Sequence, residues 1–175
     1  MVFEVQRVDY KTAKEFIEKW HYSGCIPKGR NVCFGLFADK TLYAVIVYGN
    51  GVNPYQAKFL GVPNVVELKR MARSEPRLDE YPLTKFISKT AKLLMQEYPC
   101  DCIVAFADPE HGHSGGVYKA ANFWLHGHTQ AEYHVIDADG NKRHRRLAYR
   151  HAKRNGLTIA ESRDILGLQI IRTLP

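Results

Sequence analysis

The sequence predicts a mixed α/β (α+β) domain, a mostly antiparallel sheet with helices on both faces. Three observations carry this reading. Short segments of strand character recur along the chain, at VFEVQRV, VCFGLFAD, TLYAVIVYG, NVVELKRMARS and DCIVAFAD. Segments with apolar residues at helical spacing alternate with them. DCIVAFAD is also so uniformly apolar that it suits the interior of a covered sheet.

VFEVQRV alternates apolar and polar residues and forms the first strand. Asp9 then caps a helix from about Tyr10 to Trp20, with Ala13, Phe16, Ile17 and Trp20 along its apolar side. HYSGCIPKGRN, with its Gly and Pro, is a loop. VCFGLFAD and TLYAVIVYG come next as a hairpin turning at Asp39–Lys40, and the segment from Asn50 to Pro63 reads as loop. NVVELKRMARS is the next strand, and RLDEYP leads into a helix from about Leu83 to Tyr98. DCIVAFAD runs into the loop PEHGHSGG and a short helix, VYKAANF. WLHGHTQAEYHVID and a turn at Asp139–Gly140 suggest a closing hairpin. The basic segment from Lys142 and TIAESRDILG read as helices, and LQIIRTLP as a last strand.

The chain has 175 residues, which suits one domain over 1–175 with a basic helical segment at about 142–167. No apolar run is long enough to span a membrane and MVFEVQRVDY has no signal-peptide pattern, so a cytoplasmic location is expected. Cys25, Cys33, Cys100 and Cys102 do not make a disulfide framework at this size and in that compartment. The formal net charge of +7 favours a polyanionic partner. Most of the excess lies in KRHRRLAYRHAKR, where Lys142, Arg143, Arg145, Arg146, Arg150, Lys153 and Arg154 are expected to meet DNA phosphates. A solvated helix face is the bland alternative.

The segment FADPEHGHSGGVYKAANFWLHG is richest in chemistry. Asp108 ends a buried strand, where open α/β sheets put functional groups. A glycine-bearing loop with His111, His113 and Ser114 comes after it, then Tyr118 and Asn122 at i and i+4 on one helix face. Taken singly, Asp108 could be a helix cap and Tyr118 a core residue. Two histidine pairs, His111 with His113 and His126 with His128, have the spacing of zinc ligands on a strand, but nothing at metal spacing completes them, so no metal is assigned.

Ala107, Asp108, Pro109, Gly112, His113, Gly115, Tyr118, Ala120, Asn122 and Phe123 together resemble the signature of the phage Mom family of adenine-modifying proteins. Trp20-His21-Tyr22-Ser23-Gly24 is similar to that family's His-Tyr pair after the first helix. Glu67-Leu68-Lys69-Arg70, with the later helix start Thr84-Lys85-Phe86-Ile87-Ser88, is a third match in the family's order. Thr84 stands where the family carries Ser, and its Asn is not evident.

The resemblance implies a GNAT-like acyltransferase fold, which the element order also resembles, and conversion of adenine in DNA to a carbamoylmethylated form that evades host restriction. It implies catalytic positions at His21, Tyr22, Asp108 and Tyr118. Arg70, Thr84, Lys85, Ser88 and Asn122 are assigned to the donor, and His113 and Ser114 to the substrate loop. Asp108 is expected to accept the N6 proton, with His21 as the alternative base. The adenine must be flipped out or single-stranded, and Tyr22 is the expected stacking wall, with Trp20 and Phe123 in the core. The donor is acetyl-CoA or another activated small molecule. RLDEYPLT, which lacks glycine and carries Asp79 and Glu80, is a poor cradle for a pyrophosphate. Two alternatives remain open: an ordinary GNAT N-acetyltransferase of a protein or small amine, and a non-catalytic DNA-binding module built on the helix-turn-helix-like AKRNGLTIAESRDILGL.

Overall fold

The computed structural model describes residues 2–51, 55–74, 80–129, 133–143 and 146–172. They divide into two compact units, 1–125 and 126–175, a partition that the reading of one domain does not announce.

The first unit is built on a five-stranded sheet of order β1-β2-β3-β4-β5. Its strands are β1 (Phe3–Val8), β2 (Asn31–Ala38), β3 (Thr41–Gly49), β4 (Val65–Arg73) and β5 (Cys102–Ala105). Neighbours are antiparallel except β4 and β5, which run parallel. The expected mixed, mostly antiparallel sheet is therefore what forms. The β2–β3 turn has positive φ at both Asp39 and Lys40, the twist that a two-residue hairpin requires.

Helices cover both faces. Helix α1 (Tyr10–Trp20) begins where the Asp9 carboxylate accepts from the Thr12 amide at 2.8 Å. It buries Ala13, Phe16 and Ile17 against Cys33, Val45, Val47 and Ala72. Trp20, expected in the core, is instead 44% exposed, because α1 ends there and the ring lies beyond the sheet-facing stripe, under the Lys19 ammonium. A five-residue helix, α2 (Gln56–Leu60), occupies part of the stretch read as loop, closed by left-handed Gly61. Helix α3 (Leu83–Glu97) buries Phe86, Ile87 and Leu94 against Phe34, Leu36, Ile46, Tyr48 and Leu68 on the other face. The short α4 (Gly116–Ala120) presents Val117 and Tyr118 to that same cluster.

One irregularity in β4 reverses the direction of its later side chains. Val47 pairs with Arg70 but Tyr48 pairs with Leu68, so Lys69 is an extra residue, a β-bulge. Val66 and Leu68 pack on the α3 side, and unbroken alternation would send Arg70 and Ala72 there too. Beyond the bulge the phase is reversed, with Met71 on the α3 side and Ala72 on the α1 side. Arg70 is thereby turned toward α1.

The second unit has its own three-stranded antiparallel sheet, order β7-β6-β8, from β6 (Tyr133–Ile136), β7 (Lys142–Arg143) and β8 (Gln169–Arg172). The closing hairpin forms, but in this sheet. Lys142 and Arg143, expected in a helix, are a strand, because the turn at Gly140 folds them back onto Val135 and Ile136. Helices α5 (Arg146–Asn155) and α6 (Ile159–Ile165) complete the unit, whose core holds Val135, Ala148 and Leu168. No helix among the described residues is long and apolar enough to cross a membrane.

In the first core the Tyr48 hydroxyl and Thr90 Oγ1, both fully buried, are 2.9 Å apart, and Thr90 also donates to the Phe86 carbonyl. The two deletions are unequal. Tyr48→Phe leaves Thr90 its carbonyl and is expected to cost about 1 kcal/mol, whereas Thr90→Val strands a buried phenol and is expected to cost about 2 kcal/mol. Chemical denaturation checks the order, and equal costs would contradict the asymmetry.

Candidate active site

The site lies in the first unit, where β4 and β5 part. Their pairing ends at Leu68 opposite Ala105, while β4 continues to Arg73. The crevice beyond the carboxyl ends of parallel strands is where such sheets bind ligands. Asp108 follows β5, Arg70 lies on β4 beyond the last β4–β5 pair, and the loop after α1 brings Tyr22 to Asp108 and His21 beside it.

Asp108 organises the cluster. Its Oδ1 accepts from the Glu110 amide at 3.1 Å, which starts a single 3-10 turn over Pro109–His111. Its Oδ2 lies 3.0 Å from His111 Nδ1 and accepts from the Tyr22 hydroxyl at 3.3 Å. Burial pushes the Asp108 carboxyl up, but His111, the Tyr22 hydroxyl and the Glu110 amide outweigh it and hold the group below its ordinary value. Asp108 is thus an anion at neutral pH with its side chain 37% exposed.

The Tyr22 ring stacks on His21 at 4.3 Å and on His111 at 3.9 Å. Two rings at that separation cannot share one face, so both faces of Tyr22 are covered. His113 adds a tilted contact at 5.5 Å. The two imidazoles occupy the ring that the sequence offers as a stacking wall, and Tyr22 is half exposed. Burial, and then Asp108, raise its phenol above the ordinary value and keep it a hydrogen-bond donor.

His21 is set up differently from a base. The Ser23 amide donates to His21 Nδ1 at 3.1 Å, and Ser23 Oγ lies 2.8 Å from the same nitrogen. A backbone N–H cannot turn away, so Nδ1 is the acceptor and the proton sits on Nε2. Burial pushes the imidazole down to about 4, and the nearby Arg70, His113 and His111 add to the shift. His21 thus offers an N–H at neutral pH.

Arg70 secures the loop that carries these groups. Its Nε donates to the Cys25 carbonyl at 3.1 Å, and its Nη1 donates to the carbonyl of bulged Lys69 at 2.6 Å. It ties down the loop that carries His21 and Tyr22. Tyr118 packs its ring 5.7 Å from Phe123, and burial, then Tyr22, raise its phenol.

The remaining expected residues stand on other segments. Asn122 is not on the face of α4 with Tyr118, because the helix ends at Ala120 and Asn122 adopts a left-handed φ of 64°. Asn tolerates that conformation better than most residues. Thr84, Lys85 and Ser88 begin α3; the Lys85 amide is bonded to the Pro82 carbonyl and its ammonium sits over the Tyr81 ring at 4.6 Å. Ser114 is exposed in the loop before α4.

In the second unit Arg146, Arg150, Lys153 and Arg154 are exposed on α5, while Arg143 is held by Asp137 at 2.6 Å in the β6–β7 turn. Lys142 is exposed on β7, and Arg145 lies outside the described residues. His111, and not His113 of the expected substrate loop, is the histidine that reaches Asp108. A signal for it is present in the sequence: three residues after an Asp that precedes Pro, one tight turn returns its ring to the carboxylate. Among the described residues no group of three His, Cys, Asp or Glu is arranged to hold a metal.

The sequence model of the Mom protein family matches residues 2–168. The methylcarbamoylase Mom of Escherichia phage Mu is 28% identical over 142 residues, covering 77% of this chain. The aligned region spans 58% of that relative's length. The crystal structure of a possible acetyltransferase from Clostridium difficile 630 superposes with a TM-score of 0.53 at 11% identity, covering 78% of this chain and 99% of the other. That likeness concerns the fold, which is GNAT-like.

The state of His21 has a measurable consequence. The ring takes up its proton near 6.5 when unfolded but near 4 when folded. Its contribution to stability is therefore complete above about pH 6.5 and is lost as the pH falls toward 4. His21→Asn, with no proton to take up, is expected to lack that part of the acid sensitivity. Long-range nitrogen NMR should find the Nε2–H tautomer at pH 7, and an Nδ1–H signal would refute the assignment.

Proposed function

We propose, from the premise that the chain belongs to the Mom protein family, that it is an acyltransferase-like enzyme that adds a small carbamoylmethyl-type group to N6 of adenine in DNA. Such a modification would shield phage DNA from host restriction. The observation that carries the reading is the Asp108 carboxylate, ionised, oriented by Tyr22, His111 and the Glu110 amide, and still open to a substrate.

N6 of adenine is a poor nucleophile, because its lone pair is delocalised into the ring. Asp108 holds an N6–H, and as the new N6–C bond forms the proton passes to the carboxylate. The bond from the donor carbon to its leaving group breaks, with the electron pair going to the leaving group. Tyr118, kept protonated by burial, is the proton source for that group. His21 acts through its Nε2–H as a donor to the developing negative charge, not as the base.

Adenine inside a stacked duplex is out of reach, so the base is flipped or already single-stranded. With both faces of Tyr22 covered, we assign the flat wall to Phe106. Phe106 is 50% exposed and lies two residues before Asp108, just past the end of β5. The donor is an activated small molecule. Acetyl-CoA is the less favoured choice, since the start of α3 has no glycine loop and its Lys85 amide is already bonded.

Nucleoside mass spectrometry of plasmid DNA from expressing cells tests the proposal. A heavier adenosine is expected with the intact protein, reduced at least about a hundredfold by Asp108→Asn. Undiminished modification in that variant would remove Asp108 from the chemistry, and an unmodified plasmid with folded protein would overturn the function. Phe106→Ala is expected to weaken the binding of an adenine-containing single strand by about 1–3 kcal/mol; unchanged affinity would reassign the wall.

A further inference from the structure

A charged side chain lies in the interior of the first unit. Lys69, the extra residue of the β4 bulge, is 5% exposed, and Glu67, the carboxylate near it, is buried as well. Lysine is seldom buried without a partner, so the place its ammonium reaches is informative. Burial pushes its pKa down, and Glu67 opposes the shift. The ammonium donates to Asn31 Oδ1 at 3.0 Å.

Asn31 opens β2, which is separated from β4 by β3. The path crosses β3 at Gly49, which pairs with Asn31 on one side and with Glu67 on the other. A Cβ at Gly49 would stand 2.9 Å from Lys69 Nζ and 2.2 Å from the Arg30 carbonyl oxygen. Only glycine leaves that gap, and the need is for space, since its φ is not left-handed.

The Asn31 amide passes the contact on. An ammonium has only donors, so the amide oxygen faces it, and the amide nitrogen donates to the Pro27 carbonyl at 3.3 Å. Flipping the amide would set donor against donor and acceptor against acceptor. Pro27 lies in the loop from α1 to β2 that begins with His21 and Tyr22. Arg70, next to Lys69 in the chain, donates to the Cys25 carbonyl of the same loop at 3.1 Å. Between those two carbonyls Ile26 is buried against the α1 face of the sheet. Two adjacent residues of one bulge therefore hold the loop on either side of Ile26, Arg70 directly and Lys69 through Asn31.

We propose that Lys69 is a positioning residue for the candidate active site: reaching across β3 through the gap at Gly49, it fixes the Asn31 amide and so clamps the loop that carries His21 and Tyr22. That the clamped loop serves catalysis rests on the function proposed above.

Proton NMR of the full chain reads the loop, because the Tyr22 ring lies between the His21 and His111 imidazoles and its signals carry their ring currents. Asn31→Asp keeps an acceptor for Lys69 but leaves the Pro27 carbonyl without its donor. The variant is expected to stay folded, with a denaturation midpoint close to that of the wild type, and to shift the Tyr22 ring signals toward those of an unstacked tyrosine. Adenosine modification is expected to fall by about tenfold to a hundredfold, the scale on which a misplacement of about 1 Å lowers a rate. Lys69→Met keeps the stem, removes the donor and is expected to give the same shift. A lysine that serves only the core predicts the opposite: instability in Lys69→Met, with Tyr22 signals and modification at the wild-type level in Asn31→Asp. That result overturns the proposal, and so do shifted signals with full modification. A wild-type chain that never modifies adenosine removes the function proposed above, and the Tyr22 signals then decide the clamp by themselves, unshifted signals overturning it.

Discussion

A single extra residue in β4 sets the geometry on which the site depends. Lys69 has no partner in β3, and the bulge reverses the facing of every residue after it. Without it Arg70 would point into the packed α3 side, where a guanidinium would have to be buried among Phe, Leu and Ile. With it, Arg70 turns to the α1 side, takes up the carbonyl that the bulge frees and ties down the loop after α1. The bulge also lies where the β4–β5 pairing ends, at Leu68 and Ala105. Irregular pairing here creates the place where His21, Tyr22 and Asp108 meet.

The cluster is polar but largely neutralised from within. Asp108 is the carboxylate at its centre, and three donors keep it ionised in spite of partial burial. The stacking of His21, Tyr22 and His111 then limits what each group can do. Tyr22 loses its faces but keeps its hydroxyl, and His21 loses its Nδ1 to Ser23 but keeps its Nε2–H. Both become fixed donors, and the exposed carboxylate is left as the group suited to accept a proton. This division of labour comes from contacts, not from residue type, for an isolated histidine would be the more natural base near neutral pH.

Much is legible in the sequence. The period of two in VFEVQRV, the period of 3.6 from Tyr10 to Trp20 and the turn at Asp39–Lys40 determine their elements by local preference alone, and they form at those positions. The spacing of Asp108, His113, Gly115 and Tyr118, together with His21-Tyr22 and Glu67-Leu68-Lys69-Arg70, was sufficient to name the family. Tertiary structure decided the rest. Strand pairing determined that Lys69 is a bulge, and a bulge arises from the register against β3, which NVVELKRMARS does not encode by itself. Packing determined that Tyr22 is covered on both faces and that His111, not His113, reaches the carboxylate. Those contacts join residues far apart in the chain, as Tyr22 and Asp108 are, or depend on one tight turn. Lys142 and Arg143 joined a strand because the fold-back at Gly140 offered Val135 and Ile136 as partners. Local preference identifies elements and residue types, whereas the direction in which a side chain finally points depends on neighbours supplied by distant parts of the chain.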